Sequence, residues 1–336
     1  VEGLNAFTSF DQTVYVADVP TNRFAAWAEV EVERFKDPAF RLFYPELEAV
    51  YEEKNRSIDN PFRSVWEAML SAMWTKHPYG TQTTIGEVEH LKVPAFGDMV
   101  EYFHKWYVPN NMAVVLAGDI DPETALPVLE KTLGTLPAKD LGAPAPGKLE
   151  GPKGRVFREV VAEGEQGVTI AWPTVAAAHP DRAALEVMDM LVDNSKTGLI
   201  NVQLELSQKL PDAGSSPMAL HEAGMWQMRG TAKEGQSLEE VEQLLLGVVA
   251  SLKKGEFTQE DIDAIVLQDE VSQKQRLEFA GARVSKIADA YVNRMEWKEV
   301  LAQDEAKPKV TKEDVLRVAG TYLGDDRVVV YRKRGK

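Results

Sequence analysis

One kind of segment occurs twice in this sequence, at an interval as long as a domain. The stretch VEYFHKWYVPNNMAVVLAG begins at Val100, and VLRVAGTYLGDDRVVVYRK begins at Val315, an offset of 215 residues. Each stretch reads as a helix, a polar turn and a hydrophobic run typical of a strand. Because such a unit recurring at this interval indicates duplication, we expect two related α+β domains.

A stretch rich in proline and glycine predicts the boundary between the two domains. LPAKDLGAPAPGKLEGPKG, residues 136–154, separates two regions with regular hydrophobic patterns and is typical of an exposed linker. The sequence therefore predicts a first domain over residues 1–136, a linker over 137–154 and a second domain over 155–336. In each domain we expect an antiparallel-rich mixed sheet packed against helices.

Local patterns predict the individual elements. In the first domain, NAFTSFDQTVYVADVP predicts two strands around a turn, and NMAVVLAGD predicts a buried strand. In the second domain, GVTIAWP, MWQMRGTA and RVVVYRK predict strands, and residues 258–294 predict a helix. PDAGSSPMAL, residues 211–220, combines glycine, serine and proline and therefore indicates a loop.

Charge and composition exclude several classes of function. The net charge of −15 repels nucleic acid, and no basic stripe interleaved with aromatic residues offsets it. The absence of cysteine excludes disulfides, thiolate zinc sites and cysteine nucleophiles. No apolar run approaches the ~18 residues that a membrane span requires.

Two glutamates in YPELEAVYEEKN share one face of a predicted helix. Glu46 and Glu53 are seven residues apart, or two turns, and Val50 lies between them on the same stripe. Two carboxylates on a partly apolar face are costly to desolvate, which a bound cation offsets. The alternative is a solvated surface helix, which the i,i+4 pair of Glu52 and Arg56 favours.

The remaining residues supply no complete active site. The five histidines include no pair at i,i+3 or i,i+4, the spacing that presents two imidazoles to one metal. There is no G-x-S-x-G motif and no phosphate-binding glycine loop. From the residues alone, the chain is two α+β domains with one candidate carboxylate ligand.

An ordered set of motifs resembles the pitrilysin/insulinase family of zinc metallopeptidases. NAFTSFDQTVY resembles the family's Asn-Ala-x-Thr edge strand, and ELEAVYEE resembles its Glu-x-x-x-Val-x-x-Glu helix. HPYGTQTTIGEVEHL and YVPNNMAVVLAGDID resemble the segments that follow in the same order. The resemblance covers nearly all of residues 3–135, and residues 155–336 resemble the family's second, catalytically silent domain more loosely.

The resemblance implies roles for individual residues. Glu53 corresponds to the third ligand of a catalytic Zn²⁺, and Glu46 to the carboxylate that supports the site. Asn5, Ala6 and Phe7 correspond to the edge strand beside which an extended peptide binds. The family's other two ligands and its general base belong to a His-x-x-Glu-His helix upstream of this strand, which the chain begins too late to contain. The first domain is thus expected to be incomplete at its N-terminus and the chain by itself inactive.

The implied function is a zinc-dependent endopeptidase that cleaves peptides in an enclosed chamber. The expected partners are peptides or small unfolded proteins, the upstream segment and a second two-domain half; no nucleic acid and no membrane span are expected. A bacterial periplasmic or envelope location is favoured over the cytoplasm. Two alternatives stay open, a non-catalytic scaffold or partner subunit of the same fold and a plain binding module with solvated carboxylates.

Overall fold

Helices and strands account for most of the chain, which confirms the α+β prediction. The computed structural model describes residues 2–58, 60–92, 96–142, 147–194 and 196–335. Within these ranges the strands are β1 (Glu2–Thr8), β2 (Thr13–Asp18), β3 (Arg155–Ala162), β4 (Gly167–Thr174), β5 (Ala213–Ala219), β6 (Gly224–Thr231) and β7 (Arg327–Arg334). The helices are α1 (Phe24–Lys36), α2 (Phe43–Ile58), α3 (Pro61–Met73), α4 (Pro78–Thr81), α5 (Val88–Lys92), α6 (Phe96–Trp106), α7 (Pro122–Lys131), α8 (Arg182–Val192), α9 (Leu238–Lys254), α10 (Gln259–Leu277), α11 (Ala280–Val292), α12 (Trp297–Ala306) and α13 (Lys312–Tyr322).

Several helices begin at residues whose side chains cap them, and α9 ends at a glycine in the left-handed conformation. The Ser237 side chain accepts a hydrogen bond from the Glu240 N–H at the start of α9, and Gly255 ends that helix in the left-handed conformation. Thr311 and Asp314 form a reciprocal capping box at the start of α13. These local signals fix the helix ends independently of tertiary packing.

The chain divides into two compact units. The first contains Val1–Lys54, Thr84–Pro146 and Leu277–Val292, and the second contains Asn55–Thr83, Gly147–Arg276 and Asn293–Lys336. Helix α3 thus belongs with the second unit and α11 with the first. The domain limits predicted from the sequence stay a prediction.

The second unit is built on a five-stranded sheet in the order β3-β7-β4-β6-β5. Strands β3 and β7 are parallel, whereas the β7–β4, β4–β6 and β6–β5 pairs are antiparallel. Trp172 of β4 lies opposite Trp226 of β6, with the two ring centroids 5.5 Å apart. The predicted strands of this region are therefore present in one mixed, antiparallel-rich sheet.

Helices cover both faces of this sheet. Side chains on one face, including Ile170, Trp172 and Val329, pack in a buried cluster with α8, α9 and α13. Helix α3 packs on the other face against β3, β4 and β7, where Val328 and Val330 are also buried. A strand buried on both faces needs apolar residues in succession rather than in alternation. This is the physical reason for the run VVVY in β7.

In the first unit the described strands form one hairpin, in which β1 pairs antiparallel with β2. The hairpin's Tyr15 packs edge-on against Phe35 of α1, at a centroid distance of 5.8 Å. Tyr107 stacks on Phe35 at 6.2 Å and on Phe103 at 4.5 Å. An aromatic cluster therefore supports the hairpin from the side of β2.

Three local predictions differ from the structure. Residues 112–119 do not form the predicted buried strand, because nothing in the described chain pairs with them and Val114 is 43% exposed. Residues 213–219, predicted as a loop, form the edge strand β5, where Pro217 is tolerated because an edge strand has unpaired main-chain groups. The helix predicted over residues 258–294 is divided into α10 and α11.

The two copies of the repeated segment have different structures. The second copy contains α13, a turn and β7, whereas the first copy has α6 and a turn followed by an extended segment without pairing. Among the described residues, none of the helices combines the length and apolar composition that crossing a bilayer requires.

Candidate peptide-binding edge and carboxylate helix

The hairpin turns one edge of β1 away from β2. Near the turn, the Ser9 N–H donates to the Gln12 carbonyl over 2.8 Å, so this pair is a hydrogen-bonded one. Since hydrogen-bonded and non-hydrogen-bonded pairs alternate along an antiparallel ladder, the pairs Thr8–Thr13 and Ala6–Tyr15 are non-hydrogen-bonded. The main-chain N–H and carbonyl of Ala6 and Thr8 consequently point to the open edge.

The three residues predicted to bind substrate all lie on this strand. Asn5, Ala6 and Phe7 are exposed, with half of the Phe7 surface accessible, and Leu4 is 67% exposed. Within the described chain, β1 pairs with β2 alone. The Ala6 N–H donates to the Asn5 Oδ1 over 2.8 Å. The strand is thus an open edge with apolar side chains beside it, and its role in binding stays a prediction.

A cation and two aromatic rings hold the other side of the hairpin. The Arg34 guanidinium lies 4.5 Å from the centre of the Tyr15 ring and pairs with Glu31. The hydroxyls of Tyr15 and Tyr107 are 3.3 Å apart. Burial, together with the Tyr107 hydroxyl, raises the pKa of Tyr15, so its phenol is neutral at physiological pH. The strand behind β1 is therefore fixed by neutral and cation–π contacts.

The predicted carboxylate helix is present as α2, and both glutamates lie on it. Glu46 is in its first turn, where a negative charge interacts favourably with the positive end of the helix dipole. Glu46 and Glu53 are exposed, whereas Val50 between them is half-buried. The seven-residue spacing is thus realised on one helix. Metal binding by Glu53, with Glu46 as the supporting carboxylate, stays a prediction.

The described residues do not by themselves fit a zinc ion. They contain no group of three or more histidine, cysteine, aspartate or glutamate side chains arranged to hold a metal. A catalytic Zn²⁺ needs three protein ligands and an open position, and Glu53 offers one ligand. No catalytic step through a metal is therefore derived from these residues.

Two buried polar clusters in the second unit are not predictable from sequence motifs. Glu242, only 4% exposed, accepts two bonds from Arg155 at 2.8 and 2.6 Å and one from the Tyr331 hydroxyl at 2.7 Å. Buried His77 bonds Glu222 through Nε2 at 3.1 Å. The partners are 87 to 145 residues apart in sequence, so no local signal reports them.

A comparison with models of protein families shows which family this chain belongs to. Residues 96–268 match the family model described as the Peptidase M16 inactive domain. The chain belongs to the M16 peptidase family. The resemblance to the pitrilysin/insulinase peptidases, inferred from the ordered motifs, is thereby confirmed.

Individual relatives carry the names of proteases. The zinc protease PqqE of Helicobacter pylori is 24% identical over an alignment of 335 residues, which covers 96% of this chain and 74% of that protein. The crystal structure of a protease from Helicobacter pylori superposes with a TM-score of 0.91 at 23% identity, covering 98% of this chain and 82% of that one.

A longer relative has the same fold at lower identity. The periplasmic protease PqqL from Escherichia coli superposes with a TM-score of 0.78 at 16% identity. This comparison covers 99% of the present chain but 39% of PqqL, so the chain spans well under half of that structure. Relatives named zinc proteases support a protease family, while the matched family model is that of the inactive domain type.

Proposed function

We propose that this chain is part of a zinc-dependent endopeptidase and that it binds extended peptides along the open edge of β1. The observation that carries this proposal is the direction of the Ala6 main-chain groups, which face away from β2 on an exposed strand. A peptide that adds as a strand gains main-chain hydrogen bonds there, with little dependence on its sequence. The negative net charge favours basic peptides as substrates.

The zinc part of the proposal concerns Glu53. Its carboxylate is proposed as one metal ligand and the Glu46 carboxylate as the group that orients the site, as the family resemblance implies. Since the described residues contain no group of three or more side chains arranged to hold a metal, the remaining ligands and the general base are proposed to come from a His-x-x-Glu-His segment outside them. The proposed partners are that segment and a second two-domain half.

A second candidate function is a non-catalytic partner or scaffold subunit of the same fold. The description of the matched family model as an inactive domain favours it. The two candidates share the peptide-binding edge and differ in whether Glu53 holds a metal. A periplasmic or envelope location is proposed for either, supported by the name of the Escherichia coli relative.

The peptide-binding proposal is tested with the variant Ala6→Pro. Proline removes the outward N–H and leaves the ladder to β2 intact, because the Ala6–Tyr15 pair exchanges no main-chain bonds. We expect affinity for a fluorescent, unstructured basic peptide to fall about tenfold or more, because the carbonyl of the bound peptide is left without a donor and the proline ring crowds the edge. Ala6→Ser is the matched control, since it keeps the N–H and nearly the same size. Equal affinity of all three proteins would exclude this edge as the peptide site.

The metal proposal is tested by zinc content of the intact gene product. We expect Glu53→Gln to lower bound zinc strongly, because a neutral amide is a poor ligand compared with a carboxylate. Glu48→Gln, an exposed position on the same helix, is the control and should leave the zinc content unchanged. Unchanged zinc in Glu53→Gln would exclude this residue as a ligand and favour the scaffold function.

A further inference from the structure

The open edge of β1 carries a hydrogen bond that a bound peptide has to replace. Ala6 and Thr8 direct their main-chain groups outward, as the register of the hairpin requires. The Ala6 N–H already has an acceptor, the side-chain Oδ1 of Asn5 at 2.8 Å. Both residues are exposed, so burial does not hold this contact in place.

We propose that Asn5 acts as an internal competitor for the Ala6 N–H, occupying the position that the carbonyl of a bound peptide takes. This inference rests on the proposed function and adds a residue that sets the affinity of the edge. An amide oxygen of the protein and an amide oxygen of the peptide are chemically equivalent acceptors, so the exchange at this N–H gives no net gain. Binding must therefore come from the remaining main-chain bonds and from side-chain contacts.

The same contact protects the edge against unwanted pairing. An exposed strand with free donors and apolar side chains is a template for association with other chains. Here Leu4 and Phe7 are exposed beside Ala6, and the central donor is capped by its neighbour. An extended peptide long enough to make several bonds replaces the cap, whereas a short or folded one does not. Asn5 is thus expected to select for long, extended substrates.

The hydrogen bond from the Ala6 N–H to the Asn5 side chain is measured by amide hydrogen exchange in the 336-residue chain. We expect Asn5→Ala to speed exchange at the Ala6 N–H about threefold or more, because water replaces the side-chain acceptor. The Thr8 N–H, which points to the same edge, serves as the internal control and should be unaffected. Unchanged exchange at Ala6 would overturn the proposal.

The competition is measured by titration with one neutral, unstructured peptide. We expect Asn5→Ala to bind it about threefold more tightly, or about 0.7 kcal/mol at 1.4 kcal/mol per tenfold, because the peptide now gains an ordinary hydrogen bond. Asn5→Asp should bind more weakly than the wild type, since a carboxylate holds the N–H more strongly. Equal or weaker binding by Asn5→Ala would show that the amide contacts the peptide or plays no part, and would overturn the proposal.

The experiments distinguish a wrong peptide-binding site from a wrong role of Asn5. If the wild type binds no peptide while Asn5→Ala still speeds exchange at Ala6, the peptide site is excluded, and the role of Asn5 in selection with it. If the wild type binds peptide and Ala6→Pro weakens binding, but Asn5→Ala does not tighten it, the edge remains the site and the competition alone is wrong.

Discussion

At the scale of single residues, the carboxylate of Glu242 is buried and accepts three hydrogen bonds. Burial alone raises its pKa, but hydrogen bonds from Arg155 and Tyr331 outweigh burial, so the net effect lowers the pKa below the usual value. A carboxyl group with a lowered pKa in the folded state stabilises the fold above its unfolded pKa of about 4.3. This contribution is lost as pH falls through the folded pKa.

The variant Glu242→Gln tests this contribution. We expect the free energy of unfolding at pH 7 to fall by about 2 kcal/mol, the size of charge-assisted hydrogen bonds that are lost inside a protein. The difference from the wild type should begin to shrink as the pH falls below about 4.3, because the unfolded state then takes up a proton before the folded carboxyl does, and it should disappear as the pH falls through the lowered folded pKa. Denaturant titration across this pH range measures both effects.

The control for this prediction is Glu256→Gln, which removes the same charge at an exposed position. We expect it to change stability by less than about 0.5 kcal/mol. A constant difference between wild type and Glu242→Gln from pH 7 to pH 3 would contradict the assigned cause.

Some features of the candidate site were predictable from the sequence, and one was not. The spacing of Glu46 and Glu53 placed them on one helix, and the structure has them on α2. The resemblance assigned Asn5, Ala6 and Phe7 to an edge strand, and they lie on β1. The bond from Ala6 to Asn5 was not predictable, since it depends on which way the main chain of β1 faces. That direction follows from the hairpin register.

At the scale of elements, prediction succeeded where local and tertiary signals agree. Strand β7 was predictable because burial on two faces requires a continuous apolar run, and β4 and β6 were predictable from residue types that favour strands, although Gln227 and Arg229 interrupt the apolar residues of β6. Residues 112–119 carry a similar run, yet a strand also needs a partner, and none pairs with them in the described chain. Conversely, β5 has the composition of a loop and is a strand because β6 pairs with it. Pairing is a property of the sheet and leaves no local signal.

Two exposed glycines within helices lead to a prediction about the free energy of unfolding. Gly247 of α9 and Gly320 of α13 lie on exposed helix surfaces, and a Cβ at either would meet nothing within 4 Å. We expect Gly247→Ala and Gly320→Ala each to raise the free energy of unfolding by about 0.5–1 kcal/mol, because alanine restricts the unfolded chain and favours the helix. Thermal and denaturant unfolding measure the change.

The matched control for these helix variants is Gly230→Ala in β6. A Cβ there would lie 2.9 Å from Leu210 Cδ1 and 3.2 Å from Val241 Cγ1, so the buried neighbours would have to move. We expect this variant to lose about 1–3 kcal/mol through overpacking. Stabilisation by Gly230→Ala, or destabilisation by both helix variants, would contradict the packing described for the second unit.

At the scale of the whole molecule, the two compact units differ in how much apolar surface they bury. The second unit encloses a large cluster that includes Trp172 and Trp226. In the described part of the first unit, the buried apolar side chains are few and small: Ala28, Val32, Val108, Ala125 and Ala290. Because burial of apolar area is the main source of stability, the units should differ in local stability.

Native-state hydrogen exchange followed by mass spectrometry measures this difference on the 336-residue chain. We expect amides of β1, β2 and α1 to exchange through openings that cost at least about 3 kcal/mol less than those of β4, β6 and β7, or roughly 100-fold faster exchange. A bound peptide should slow exchange in β1 and leave β6 unchanged, because it adds main-chain bonds only at the open edge. Equal protection of the two units would mean that the first unit gains its stability from something other than its own buried apolar residues.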